Sequence, residues 1–547
     1  MKRSGVAWFV LVLAVSLLSP AFSATPPKAG QKCTTLNKKQ TYKNYQFTCV
    51  KKSGTLVWSS GVLVKKETPS AAAPISTLSP TPIPSVDSMP SPSPTPSALP
   101  SQKQTASPSP SPTPILDESN FVFSDICQKD PFIPEQWIEL EKLINPLGYE
   151  CSWPYRIVRK AMPTIKPLLE TQENVSNIEL CKLKQNPKKL NILAWPVEHV
   201  DFWFKYQRHL SINTTIQLIP IYSPDSPDNG KNPIDDYKPF LDYLSEWVTH
   251  ASDGTGKLTI RSPERYLEFP NRLSDYILIH ERTQSEADRF RKAIENYVVP
   301  KLNFSGSNLG IIVMPPGTKA SLSQQVGLNQ IDANGNFVML TIMPPKTWNQ
   351  QNVSGGNFFH PAWWLHEIHH VTAGFDDNDH TSPNGLHWWG LMSYGSNEML
   401  GWHKWLIGFW GDAKITCVDS SRGGTYWIAP STYQTDKKKL LVLPISNSKA
   451  LVVESMRAGG LNYKMPPSME GALVYVVDTS LTSSHSGMYV VPPTNRKLLN
   501  PTLKTISQTF FNSDAALRNG ESAIFEGFKI SIIESGTYGD VIKVERA

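Results

Sequence analysis

A dense grouping of metal-capable side chains in the 547 residues is His366-Glu367-Ile368-His369-His370. His366 and His370 are four apart, which places them on one face of an α-helix, about 6 Å apart along its axis. Two imidazoles so placed can reach one Zn²⁺ at roughly 2.1 Å. Glu367 can then face a metal-bound water as general base, and zinc lowers the pKa of that water from about 16 to about 7. A helix is expected here, because Pro361 suits a first turn, 362–368 holds no breaker and Gly374 suits a stop. Trp363, Trp364 and Leu365 give it an apolar body, so it should be buried. His369 falls off the ligand face and is expected in solvent or beside the ligands.

A third ligand is needed where Asp376, Asp377 and Asp379 follow Gly374. The extended pattern H-E-x-x-H-x-x-G-x-x-H puts its glycine three residues after the second histidine and its last ligand three later. Gly374 comes four after His370, one residue late, so counting from His370 selects Asp376 and counting from Gly374 selects Asp377. The glycine turn redirects the chain towards the metal, which favours Asp377. His380 and, from a later helix, Glu398 are further candidates. Leu391-Met392-Ser393-Tyr394-Gly395 resembles the methionine turn beneath a metzincin zinc site, which speaks against Glu398. That resemblance makes Tyr394 a candidate oxyanion stabiliser, with ordinary aromatic packing as the alternative. Met392 is expected as a packing floor. His403, among Trp402, Trp405 and Trp410, is expected on a structural helix.

Two further stretches, Trp388-Trp389-Gly390-Leu391-Met392-Ser393 and Gly401-Trp402-His403-Lys404-Trp405-Leu406-Ile407-Gly408, resemble the immune inhibitor A family of secreted bacterial metallopeptidases. Val452 to Arg457 and Gly471 to Asp478 resemble the segment after that family's catalytic domain. The likeness spans about Leu190 to Asp478 and is strongest from His366 to Gly408. It implies a metzincin-like zinc endopeptidase, with the late Gly374 as its departure from the pattern.

Several elements must hold these residues. Leu190-Asn191-Ile192-Leu193-Ala194-Trp195 has a buried-strand pattern and opens the expected catalytic domain, 190–414. Phe240, Leu241, Leu244, Trp247 and Val248 have helical spacing, as do Phe290, Ala293, Ile294, Tyr297 and Val298. Leu309 to Met314 and Phe337 to Ile342 are expected strands. The second precedes the active helix and is assigned to line the cleft, where a free edge could pair with extended substrate. From 415 to 547 short β-type runs alternate with turn signals, the pattern of an all-β, sandwich-like domain.

Residues 1–23 have the charged start, apolar run and small-residue cleavage site of a secretory signal peptide. The apolar run is too short for a permanent membrane span, and no later segment reads as transmembrane. Removing Lys2 and Arg3 lowers the formal charge from +6 to +4, too mild to argue for nucleic acid. Six cysteines in an exported chain suggest disulfides. Cys33 and Cys49 would staple a small basic module, 24–64, expected to be a solvated β-hairpin unit with at most weak contact to the cell envelope. Cys127, Cys151, Cys181 and Cys417 allow three pairings. Fourteen of the 46 prolines lie between Pro69 and Pro114, so 65–118 reads as an extended linker. Residues 119–189 read as a packing subdomain or a removable pro-segment.

The expected fold is therefore α+β: a metzincin-like zinc protease domain, then an all-β domain, with a disulfide-stapled N-terminal module. The expected activity is a secreted zinc endopeptidase acting on extracellular proteins or peptides. His366, His370 and Asp377 (or Asp376) hold Zn²⁺, Glu367 is the base and Tyr394 a helper. The alternatives are a cell-wall amide hydrolase and an envelope-associated adhesive or scaffold protein with a structural zinc. Glu367 weighs against the last, since a closed structural site needs four protein ligands and no base. Asp376 to Asp379 and Asp332 to Asn336 are possible Ca²⁺ loops, although isolated acidic loops are usually only solvated.

Overall fold

The structure, a computed structural model, describes two units that are taken separately below, one within Met1–Ser109 and one within Pro110–Ala547. The described residues are 31–33, 35–36, 38–42, 45–52, 55–59 and 62–63 in the first, and 154, 156–185, 191–195, 213–278, 283–319, 321–324, 326–333, 335–343, 361–375, 377, 385–394, 398–481, 487–498 and 512–547 in the second. The expected signal peptide, the Pro-rich linker and Cys127 and Cys151 lie outside them. The described chain is mixed α+β, mostly sheet with few helices, and none of its helices is long and apolar enough to cross a membrane.

In the first unit β1 (Lys39–Tyr42), β2 (Tyr45–Lys52) and β3 (Thr55–Trp58) pair in that order, and β4 (Val62–Leu63) also pairs with β2. Cys49 sits opposite Trp58 across β2 and β3, and both are buried. A Cys33–Cys49 disulfide closes over this small centre. A unit of this size buries too little apolar surface to be stable without such a link.

The second unit opens with β5 (Lys160–Ala161), β6 (Asn213–Tyr222), α1 (Pro233–Ala251), β7 (Lys257–Arg261) and β8 (Leu267–Glu268). It continues with α2 (Gln284–Tyr297), β9 (Leu309–Val313), β10 (Val326–Ala333), β11 (Asn336–Ile342), α3 (Pro361–Thr372), α4 (Leu391–Tyr394) and α5 (Gly401–Leu406). Its first sheet has the order β10-β11-β9-β6-β7, with β8 on β6; β10 is antiparallel to β11 and the other pairs are parallel.

Because successive strand residues point to opposite faces, this sheet serves two cores. Leu218, Ile311, Val313 and Met339 pack with α1 and α3, whereas Ile219, Ile312, Leu340 and Ile342 pack with α2. Burial on both faces explains the continuous apolar run of β9. The helices follow the expected spacing. Phe240, Leu241, Leu244, Trp247 and Val248 form the buried stripe of α1, and α2 starts at a Thr283/Glu286 capping box.

Two expectations for this half are corrected. The run at Leu190 makes no strand: Asn191 to Trp195 forms a buried turn, because the Asn191 side chain accepts the Leu193 N–H at 2.8 Å and Gln185 clamps the Asn191 backbone. The first strand of the sheet is β6 instead. Phe337 to Ile342 does form a strand, but β11 is interior, bonded to β9 on one side and β10 on the other. Among the described residues the sheet ends at β10 on this side and at β7 on the other.

The remaining strands are β12 (Ile415–Cys417), β13 (Gly424–Ile428), β14 (Tyr433–Gln434), β15 (Leu440–Ser446) and β16 (Lys449–Met456). After them come β17 (Gly471–Asp478), β18 (Met488–Val490), β19 (Ser522–Phe525), β20 (Phe528–Gly536) and β21 (Gly539–Arg546). All but β14 form two sheets, β12-β15-β16-β17-β18 and β13-β21-β20-β19. Leu441, Val453 and Val476 from one meet Ile428, Ile530 and Ile542 from the other in a shared core. The opposite face of the first sheet, including Leu440, Val452 and Tyr475, joins the core built around α1, α3 and α5. All eight residues of β17 are therefore buried, and no gap in packing separates 190–414 from 415–547.

Within 119–189, the described residues run as a strap along these sheets. β5 pairs with β14, Gln172 bridges Tyr426 and Val175 bridges Val418. A disulfide joins Cys181 to Cys417 across 236 residues of chain.

Candidate metal centre

Helix α3 owes its position to Trp364, whose ring lies 4.5 Å from Phe240 and 5.6 Å from Tyr237 on α1. Its opposite side carries His366 and His370. At its end Gly374 takes φ +66, the left-handed conformation that glycine adopts at no steric cost, and the Phe375 N–H bonds back to the His369 carbonyl. This turn brings Asp377 back over the two histidines. His366 Nε2 and His370 Nε2 are 2.9 Å apart, and Asp377 Oδ1 lies 3.0 Å and 3.3 Å from them. Glu367 is buried, with a carboxylate oxygen within 4.8 Å of both imidazoles.

Both rings are oriented from behind. His366 donates Nδ1–H to the Leu391 carbonyl at 2.8 Å, and His370 donates Nδ1–H to the Phe375 carbonyl at 2.5 Å. A carbonyl can only accept, so each hydrogen bond leaves the Nε2 lone pair for a metal. Trp363, three residues before His366, stacks on its ring at 4.9 Å and 17°. Sequence reasoning did not single out these supports. Trp363 was visible in the i−3 spacing, whereas the two carbonyls carry no residue-type signal at all.

The electrostatics follow from crowding. Burial works against the Asp377 charge, but the two imidazoles bonded to it hold its carboxyl well below the usual carboxylate range. Burial likewise opposes a charged His370, yet contact with Asp377 and the nearby Glu367 charge lift it to about 9. The side chains of His370 and Asp377 are 25% and 44% exposed, against 3% for His366, so the cluster opens to solvent on their side.

Three donor atoms 2.9 to 3.3 Å apart lie close to the triangular face of a tetrahedral site with bonds of about 2.1 Å, whose edges are about 3.4 Å. Two imidazoles and one carboxylate suit a borderline cation such as zinc rather than calcium or magnesium, which prefer all-oxygen shells. With three protein donors and an open side, a fourth position is left for water or substrate.

Of the other candidates, Asp376 and His380 lie outside the described residues, as does the Tyr394 side chain, although its backbone ends α4. Glu398 is not at the site. It is buried elsewhere, 3.0 Å from His250 Nε2, 2.8 Å from Lys404 Nζ and accepting the Leu461 N–H. Asp332 spends a carboxylate oxygen on the Gly335 N–H in the β10–β11 turn. His369 is not in solvent. It is fully buried against Trp247 and donates to the Leu365 carbonyl, and burial drives its pKa down to about 3. His403 is likewise buried, packed on Phe375 and pushed down to about 3 by burial. Met392 is fully buried. No protein-family model matches the chain, and comparison with curated proteins finds no match.

Proposed function

We propose that the chain is a secreted zinc-dependent endopeptidase acting on extracellular proteins or peptides. The observation that carries this reading is the convergence of His366 Nε2, His370 Nε2 and Asp377 Oδ1 within 3.3 Å of one another, with Glu367 adjacent and the cluster open on one side. The two disulfides among the described residues suit an oxidising, extracellular setting. His366, His370 and Asp377 would hold the ion. A bound zinc would supply Lewis acidity to the scissile carbonyl and ease deprotonation of a water at neutral pH.

The chain's own residues do the rest. Glu367 takes the proton of the attacking water and later hands it to the leaving amine, which a carboxylate beside the donors can do without moving far. The Leu391 and Phe375 carbonyls keep both imidazoles in the ligating tautomer. Tyr394, from the resemblance to metzincins, is the candidate donor to the developing oxyanion. β10, an end strand of this sheet among the described residues, runs beside α3, close enough that a Cβ on Gly327 would lie 3.4 Å from Val371 Cγ2. An extended substrate would add as a further strand on this edge. The interior strand at 337–342 is bonded on both sides and does not take this role.

The test is to strip the purified mature chain with a chelator, dialyse, and restore one metal at a time while following casein cleavage. Cleavage lost on stripping and regained with zinc supports the reading. Undiminished cleavage by metal-free protein sinks it.

A further inference from the structure

Residues 24–64 contain seven lysines and no Asp or Glu. Nine of the chain's 53 basic residues fall in 1–64 and none of its 47 acidic ones. The other 483 residues thus hold 44 basic against 47 acidic groups, a net charge of −3. The mild overall charge hides a strongly cationic small module on a slightly anionic body. Such asymmetry is a signal for a polyanionic partner.

The sheet displays this charge. Lys39 pairs with Thr48, and Val57 pairs with Val50 and bridges Lys32, so Lys32 and Lys39 share the face opposite Cys49 and Trp58. Both lysines are exposed, as are Lys38 and Lys51, the latter on the Cys49 face, so the charge covers both sides of the sheet. With no carboxylate in 24–64, no ion pair within the module can spend these charges.

We infer that the N-terminal module docks the exported chain on a phosphodiester polymer of the cell envelope. Lysine ammonium groups are compact donors suited to phosphate oxygens. By register, the face that carries Lys32 and Lys39 places Gln46, Thr48, Val50 and Val57 beside them and no aromatic residue, so this face offers no ring to insert into a bilayer interface or to stack on a nucleobase. Backbone phosphates are what remain. Docking would hold the exported chain near the surface and raise its local concentration there. This inference rests on export of the chain but not on its metal chemistry.

The test uses the full mature chain and poly(glycerol phosphate) as probe, over 50 to 200 mM salt. Four lysine–phosphate contacts give a log–log salt slope of about −3, hence roughly 50-fold weaker binding across that range. The K32Q/K38Q/K39Q/K51Q variant should lose binding at least 50-fold at 50 mM salt, with alkylation confirming that Cys33 and Cys49 remain closed. A control variant with four exposed body lysines replaced, K166Q/K184Q/K238Q/K437Q, should bind as the parent does. Equal loss in both variants overturns the inference, as does a flat salt slope or no binding at 50 mM. Stronger binding to phosphatidylglycerol vesicles or to duplex DNA than to the polymer also overturns it.

Discussion

Replacing Lys404 by Met should destabilise the second unit by about 3–5 kcal/mol, the usual result of stranding one partner of a buried ion pair. Lys404 Nζ lies 2.8 Å from Glu398 Oε1, and the two side chains are 1% and 2% exposed. At an effective dielectric constant near 20 their attraction is about 6 kcal/mol, partly offset by the cost of taking both charges out of water. Methionine keeps the aliphatic stem but leaves the Glu398 charge with His250 and the Leu461 N–H as partners. The ammonium also sits 5.1 Å from the centre of the Trp410 ring, a contact that is lost too.

The pH dependence gives the sharper signature. In the parent protein, burial would raise the Glu398 carboxyl, but the Lys404 charge, then His250, hold it well below the usual range. Its contribution is therefore present above an unfolded pKa of about 4.3 and fades only under strong acid. Without Lys404, burial wins, the folded pKa rises above the unfolded one, and stability is lost as pH rises. The gap between parent and variant should widen from pH 4 to pH 7. Urea unfolding at several pH values measures this, and K404M/E398Q should recover about half of the loss. A pH-independent gap, or one below about 1 kcal/mol, would refute the reasoning.

Three other outcomes are expected. Because His370 is lifted to about 9, zinc must displace its proton at lower pH. Apparent affinity measured against a competing chelator should fall about tenfold for each unit below about pH 9, and a flat profile would contradict the geometry. Asp377→Ala should weaken zinc binding by at least about 100-fold with little change in the thermal midpoint of the metal-free chain, whereas Asp379→Ala should leave affinity near that of the parent. Removing the Cys181–Cys417 link, which spans 236 residues, should cost about 2–4 kcal/mol and speed hydrogen exchange along the strap at 171–185.

What could be read from the sequence was local. The i, i+4 histidines, the turn at Gly374 and the helical stripes of α1 and α2 are properties of neighbouring residues, and the structure has the helices, the turn and the three donor atoms together. The short apolar runs after 415 all became strands, because each carried β-type residues between turn signals. Where long-range packing decides, the sequence was mute. His369 reads as peripheral on a helical wheel, but α1 covers it with Trp247. Glu398 resembled a ligand by type alone, and only tertiary structure places it against His250 and Lys404. The apolar run at Leu190 gave way to the side-chain hydrogen bonds of Asn191. Nor could spacing reveal that β10 caps the edge next to β11, or that Cys181 finds Cys417.

The most direct test of the central claim is to measure zinc content and casein cleavage on parallel preparations of the mature chain and Glu367→Gln. The account predicts one zinc per chain in both and cleavage in the parent alone. Zinc-loaded protein whose cleavage survives the loss of the Glu367 carboxylate would contradict it, and so would a chain that binds no zinc.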